Sequence, residues 1–148
     1  MQIREVMTKH SELVSPDTSL RDVAMIMRDK HIGCVPVGSK ERIFGVITDR
    51  DIACRAVANI LDPVNAKAED IMSEDVVCCF EDQSDAEALQ LMEEKGVRHL
   101  PVFNRQDRIV GMVSFGDLAF KARSHIDELL QIASRDSVRR SKMLLTNT

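Results

Sequence analysis

Gly45-Val-Ile-Thr-Asp-Arg-Asp51 and Gly111-Met-Val-Ser-Phe-Gly-Asp117 share one pattern: glycine, two apolar residues, a hydroxyl, two variable residues, aspartate. The apolar pair reads as the end of a strand, and a hydroxyl with an acid three residues on reads as a helix start. Thr48 or Ser114 then stands at the exposed strand end, and Asp51 or Asp117 lies in the first helical turn. A carboxylate there accepts two hydrogen bonds from adjacent hydroxyls, as on a ribose. The unpaired N–H groups and positive dipole end of the helix favour a nearby phosphate. A single copy reads equally well as an ordinary capping box. Two copies at matching places shift the balance toward a site.

Outward from these stretches the whole chain repeats. At an offset of 65, Met7 pairs with Met72, Asp17 with Asp82, Ser19 with Ser84, Met27 with Met92, and Lys30 with Lys95. Pro36-Val37 pairs with Pro101-Val102, and after one inserted residue Arg42-Ile43 pairs with Arg108-Ile109. Such ordered matching with a single gap is a duplication.

Each copy has the same local grammar. Ser19 to Asp22 and Ser84 to Glu87 predict helix caps, with the acid reaching back to the cap backbone. Leu20, Val23, Ala24 and Met27 fall on one helical face, and Ala88, Leu89 and Met92 repeat that stripe. Gly96 suits a left-handed stop to the second of these helices. The runs Cys34 to Val37 and Ile43 to Ile47 predict one hairpin, His99 to Phe103 and Ile109 to Val113 the other. Pro36 and Pro101 cannot donate to a ladder and are expected at a strand start or edge. A further helix is expected near Asp49 and near Gly116, and a short strand over residues 12–15 and 76–80. Each copy thus reads β-α-β-β-α. A unit of about 55 residues buries little apolar surface alone, so two copies packed sheet to sheet around a shared core are expected. The boundaries read 1–60 for the first repeat, 61–68 for a connector, 69–123 for the second repeat, and 124–148 for a helical tail.

Composition sets the frame. The 148 residues are 44% hydrophobic and 30% charged with a net charge of −4, which is globular and argues against a general nucleic-acid binder. No apolar run spans a bilayer and the start lacks a signal-peptide core, so a cytoplasmic chain is expected. Cys34, Cys54, Cys78 and Cys79 have no C-x-x-C spacing, and His10, His31, His99 and His125 are scattered. Neither a disulfide framework nor a metal site is expected. No P-loop, nucleotide fingerprint or nucleophile–base set is visible, so no enzyme is expected.

The two Gly-apolar-apolar-Thr/Ser-x-x-Asp motifs, the lead-in segments Val6-Met7-Thr8 and Ile71-Met72-Ser73, and the strands Val35-Pro36-Val37 and Leu100-Pro101-Val102 closely resemble the CBS-domain family. The resemblance covers residues 1 to 123 and implies an α/β fold of two CBS repeats with pseudo-two-fold symmetry, a Bateman module standing alone. It implies two clefts that bind adenosine-containing ligands, the motif aspartate gripping the ribose and the other repeat lending its lead-in segment and a strand edge. By position, one cleft takes Ser114 and Asp117 with Thr8, Leu13, Val14, Cys34 and Val35. The other takes Thr48 and Asp51 with Ser73, Cys78, Cys79, His99 and Leu100. Arg98 and His99 match a phosphate-meeting position of the Asp117 cleft, and Arg50 precedes Asp51 where some relatives place a phosphate-binding base. AMP, ADP or ATP are the expected ligands, with S-adenosylmethionine and dinucleotides open, and an effector protein would read the bound state. The alternative is a structural dimerisation module with empty clefts.

A homodimer is also expected, through outer helix positions such as Ile26, Ile52, Leu91 and Leu118, since family members commonly pair two modules into a disc. In the tail, Ile126, Leu129, Leu130 and Ala133 predict a helical stripe, and Arg135, Arg139, Arg140 and Lys142 a solvated basic end.

Overall fold

The computed structural model describes residues 1–9, 12–121, 123, 127, 130, 131 and 133–135. The first repeat contains α1 (Ile3–Val6), β1 (Thr8–Lys9), α2 (Leu20–Lys30), β2 (Cys34–Gly38), β3 (Ile43–Thr48) and α3 (Asp49–Asp51). A π-helical turn, Ile52–Val57, carries α3 onward. The second contains α4 (Ala68–Ile71), β4 (Cys79–Phe80), α5 (Asp85–Lys95), β5 (His99–Phe103), β6 (Ile109–Ser114) and α6 (Phe115–Lys121).

The α2 and α5 caps form at Ser19 and Ser84, whose hydroxyls accept from Asp22 and Glu87 N–H at 3.1 Å. Only Glu87 reaches back, to Ser84 N–H at 2.8 Å. Gly96 ends α5 at φ 64°, the left-handed stop its lack of a side chain allows, and His31 ends α2 in the same region at φ 54°. The hairpins β2–β3 and β5–β6 are antiparallel in matching registers, Cys34 opposite Thr48 and His99 opposite Ser114. The expected strand at 76–80 shortens to Cys79–Phe80, and that at 12–15 to one bridge between Val14 and Val37. Pro101 sits inside β5, neither at its start nor on an edge strand, because β5 lies between β6 and β4. It is tolerated because β4 pairs only with Val102 and Phe103, leaving the Pro101 position open on that side.

The repeats exchange their lead-in segments. β1 of the first repeat pairs with β6 of the second, completing a sheet ordered β1-β6-β5-β4. Reciprocally, Ser73 of the second repeat exchanges hydrogen bonds of 2.9 and 3.0 Å with Val46 of β3. The short helices cross as well. Ile3 and Arg4 N–H donate to the Gln83 and Glu81 carbonyls, and Ala68 and Glu69 N–H donate to those of Thr18 and Pro16.

Instead of one shared core, the buried residues form two clusters, each closed by the other repeat's helix. Ile3, Val6 and Met7 pack with Cys79, Ala88, Met92, Leu100, Val102, Val113 and Leu118. Ala68 and Ile71 pack with Val14, Leu20, Val23, Met27, Val35, Val37, Ile47 and Ala56. Of the outer positions expected to face a second copy, one is sealed in a core and three are half-buried. Leu118 is only 1% exposed, and Ile26, Ile52 and Leu91 pack against the two clusters. The exposed apolar side chains are others, among them Val57, Ile60, Val64 and Phe120. Of the tail stripe, Leu130 and Ala133 are helical and exposed, as is Arg135. Ile126, Leu129, Arg139, Arg140 and Lys142 lie outside the described residues, as do His10 and His125. Among the described residues no helix is long and apolar enough to cross a membrane.

Candidate functional site

Both motifs fold as strand-to-helix junctions. Asp51 N–H donates to Thr48 Oγ1 at 3.1 Å and Thr48 N–H donates to Asp51 Oδ2 at 2.9 Å. At the second junction the equivalent bonds, Asp117 to Ser114 and back, are 3.0 and 2.9 Å. The capping box is therefore real, and it engages one carboxylate oxygen of each aspartate. The other oxygen of Asp51 lies 3.8 Å from Arg55 Nε, one helical turn on, and Arg55 Nη1 donates to the Ile71 carbonyl at 3.1 Å. The other oxygen of Asp117 has no hydrogen-bond partner among the described residues. Each junction is also tied to the residue just before the partner strand, Asp49 N–H donating to the Gly33 carbonyl and Phe115 N–H to that of Arg98.

A cleft opens at each junction. The larger, about 940 Å³, brings together Thr48, Arg50 and Asp51 of the first repeat with Ser73, Arg98 and His99 of the second. The smaller, about 380 Å³, brings Ser114 and Asp117 together with Thr8, Cys34 and His99. Cys34 and His99, equivalent in the two repeats, line both clefts.

Other candidates stand off the walls. Val14, Val35, Cys79 and Leu100 are buried in the two cores. Val35 and Leu100 follow Cys34 and His99 directly, and alternation along a strand turns them to the opposite face. Leu13 is half-buried and Cys78 exposed, and neither lines a cleft. Arg98, expected at the Asp117 cleft, stands instead on the wall of the Asp51 cleft. The turn from Lys95 to Arg98 that leaves α5 runs along that wall, and the Arg98 guanidinium lies 5.6 Å from the Phe115 ring centroid.

Residues missed from the sequence include Asp49, Arg55, Glu74, Asp75 and Lys95 in the larger cleft, and Glu12, Lys30 and His31 in the smaller. The self-alignment held a signal for two of them. Lys30 and Lys95 are a repeat pair at the ends of α2 and α5, where a polar match has no packing reason. At the smaller cleft Lys30 Nζ lies 3.8 Å from Glu12 Oε1.

Burial and neighbouring carboxylates set the site's chemistry. Burial, assisted by Asp51 and Asp49, pushes the Cys34 thiol up to about 12, so it stays protonated and unreactive. Burial pulls the His99 imidazole below its ordinary value, with Arg98 adding to that, while Asp49 and Asp117 oppose it. Among the described residues no group of three or more His, Cys, Asp or Glu side chains is placed to hold a metal ion. The arrangement offers hydroxyls, carboxylates and cations. It offers no activated nucleophile.

A fold of two exchanged β-α-β-β-α repeats with a hydroxyl–aspartate junction at each cleft defines a paired-repeat module. The CBS domain family matches residues 3–56 and 68–123, and the chain belongs to that family. It is 33% identical over 123 residues to the CBS domain-containing protein YhcV of Bacillus subtilis, covering 83% of this chain and 86% of YhcV. It is likewise 33% identical over 123 residues to Hypoxic response protein 1 of Mycobacterium tuberculosis, covering 82% and 85%. The crystal structure of Hypoxic Response Protein I with two coordinated zinc ions superposes with a TM-score of 0.73 over 82% of this chain and 98% of that one. The CBS domain pair of MJ0100, solved in complex with 5'-methylthioadenosine and S-adenosyl-L-methionine, shares the fold at a TM-score of 0.75 and 22% identity. That overlap covers 84% of this chain and 98% of the MJ0100 chain.

Proposed function

We propose that this chain is a cytoplasmic regulatory module, not an enzyme, that binds an adenosine-containing nucleotide in the clefts between its repeats. AMP, ADP or ATP are the ligands we favour. The reading rests chiefly on the paired junctions, where the capping box uses one oxygen of each aspartate and the residue lines a cleft together with a hydroxyl of the other repeat. Arg50, Arg98 and Lys95, which have no ion-pair partner among the described residues, supply positive charge for a phosphate in the larger cleft. The adenosine ligands of the MJ0100 pair lend support from within the same fold. Bound nucleotide would shift the relation of the repeats, or of two modules in a homodimer, and an effector protein would read that shift.

Thermal shift with AMP, ADP, ATP, S-adenosylmethionine and dinucleotides, followed by calorimetry, tests the reading, because a ligand that binds only the folded form raises the melting temperature. Saturable micromolar binding, roughly −8 kcal/mol at 1 μM, is the expected result. Flat titrations across the panel with folded protein would leave a structural dimerisation module with empty clefts.

A further inference from the structure

The two clefts share lining residues, and of these only His99 carries an imidazole. His99 opens β5, opposite Ser114 in the ladder, and lines the Asp51 cleft as well as the Asp117 cleft. Its counterpart in the first repeat, Cys34, also lines both but carries a thiol that stays protonated. The imidazole is half-buried and makes no hydrogen bond to a described residue. It is therefore a polar group held at a double boundary with its bonding capacity unspent.

We propose that His99 is a proton-linked contact shared by the two clefts: a phosphate-bearing adenosine ligand in either cleft binds together with a proton taken up by this imidazole, which couples the clefts energetically. The proposal rests on the nucleotide reading above.

The surrounding charges explain why the ligand would decide the protonation. On the Asp51 side, Arg50, Arg55, Lys95 and Arg98 stand against Asp49, Asp51, Glu74 and Asp75, so formal charge there cancels. On the Asp117 side, Lys30 lies beside Glu12, leaving Asp117 and His31 as the other titratable groups. Burial and Arg98 outweigh the pull of Asp49 and Asp117 and keep the empty site's imidazole neutral near pH 7. A bound phosphate adds a net negative charge of about 1.5 to 2. Such a charge close to the ring favours the imidazolium. Once formed, the cation faces the second cleft as well and favours an anion there. By linkage, the help each ligand gives the other must be equal.

The test is calorimetric titration of AMP at about pH 6.5 in two buffers of different ionisation enthalpy, on wild type and His99→Gln. Free AMP titrates near pH 6 equally in every experiment, but bound beside an imidazole the two groups titrate as a pair, so the difference between proteins reports that pair. The expected result is net uptake of a fraction of one proton by wild type, lost in His99→Gln together with any cooperativity between the sites. Adenosine, without a phosphate, should show no such difference. Equal uptake in wild type and His99→Gln overturns the proposal while leaving nucleotide binding intact. Flat titrations with every compound refute the nucleotide reading instead, and the coupling with it. Should His99→Gln fail to fold, the His99 imidazole resonance of wild type decides: its midpoint must rise when AMP is added, and an unmoved midpoint refutes the coupling.

Discussion

At Asp51 and Asp117 one carboxylate oxygen holds a helix start while the residue lines a cleft, so substitution separates two roles that a contact list merges. Asn keeps an oxygen for the backbone N–H but loses the charge; Ala loses both. Asp51→Asn should hold the melting temperature close to wild type while weakening the larger cleft alone. Losing a charged hydrogen-bond partner costs about 1.5–3 kcal/mol, roughly ten- to hundredfold in affinity. Asp117→Asn should do the same in the smaller cleft, and each Ala variant should add a stability loss of about 1 kcal/mol. Calorimetry and thermal melts on all four variants check this; unchanged affinity in both Asn variants makes these residues caps and nothing more. His99 carries a second prediction at this scale. Burial lowers its affinity for protons in the folded chain, whereas the unfolded chain keeps the ordinary value of about 6.5. The unfolded state thus binds the proton more readily, and stability, full above that value, falls as pH drops toward the folded value. Melts of ligand-free protein from about pH 7 to pH 5, above the ordinary carboxylate range, should show this decline, and His99→Gln should flatten it. An identical slope in the variant removes His99 as its cause.

Among the elements, the exchanged lead-in segments explain why each motif begins with glycine. A Cβ on Gly111 would sit against the Thr8 carbonyl oxygen and 3.1 Å from Met7 Sδ. One on Gly45 would lie 2.8 Å from the Ser73 carbonyl oxygen and 2.9 Å from Met72 Sδ. Space for a crossing backbone, not an unusual φ, fixes glycine at both positions. Gly111→Ala should therefore displace β1 and cost about 1–3 kcal/mol. Because Thr8 lines the smaller cleft, it should weaken ligand there and spare the larger one; Gly45→Ala should do the reverse. Melting curves with ligand titrations decide, and loss in both clefts from either variant would mean general unfolding. The pattern of what was legible follows from range. The hairpins, the caps and the αL stop at Gly96 depend on residues a few positions apart, so spacing alone announced them. The Gly45–Ser73 and Gly111–Thr8 approaches join opposite repeats, and nothing in local pattern marks them. Arg98 was misplaced for the same reason: its identity was plain, but which cleft it faces depends on how the turn after α5 lies against the other repeat.

At the scale of the whole molecule, each core borrows a helix from the other repeat, so the module is one cooperative unit and its remaining apolar surface is an outward matter. Ile60 is 91% exposed, Phe120 81% and Val57 70%, with Val64 also open. Ile60 is, in addition, a β-branched residue at φ 56°, just beyond the π-helical turn. That left-handed conformation costs such a residue roughly 1–2 kcal/mol, and Asn tolerates it far better. An exposed, strained isoleucine is a net cost to an isolated chain. Contact with a second copy would give it a role, and we propose these positions, in place of the buried Leu118, as the centre of a homodimer contact. A stable interface needs about 800 Å² from each partner, so one residue cannot supply it, but removing central apolar contacts should break it. Sedimentation in the micromolar range should show a dimer for wild type. The double variant Ile60→Asn, Phe120→Ser should give a folded monomer. If wild type is already a monomer with and without nucleotide, the interface is absent. Ile60→Asn should then raise the melting temperature by relieving the strain alone, so that one variant reports which of the two energies the position carries.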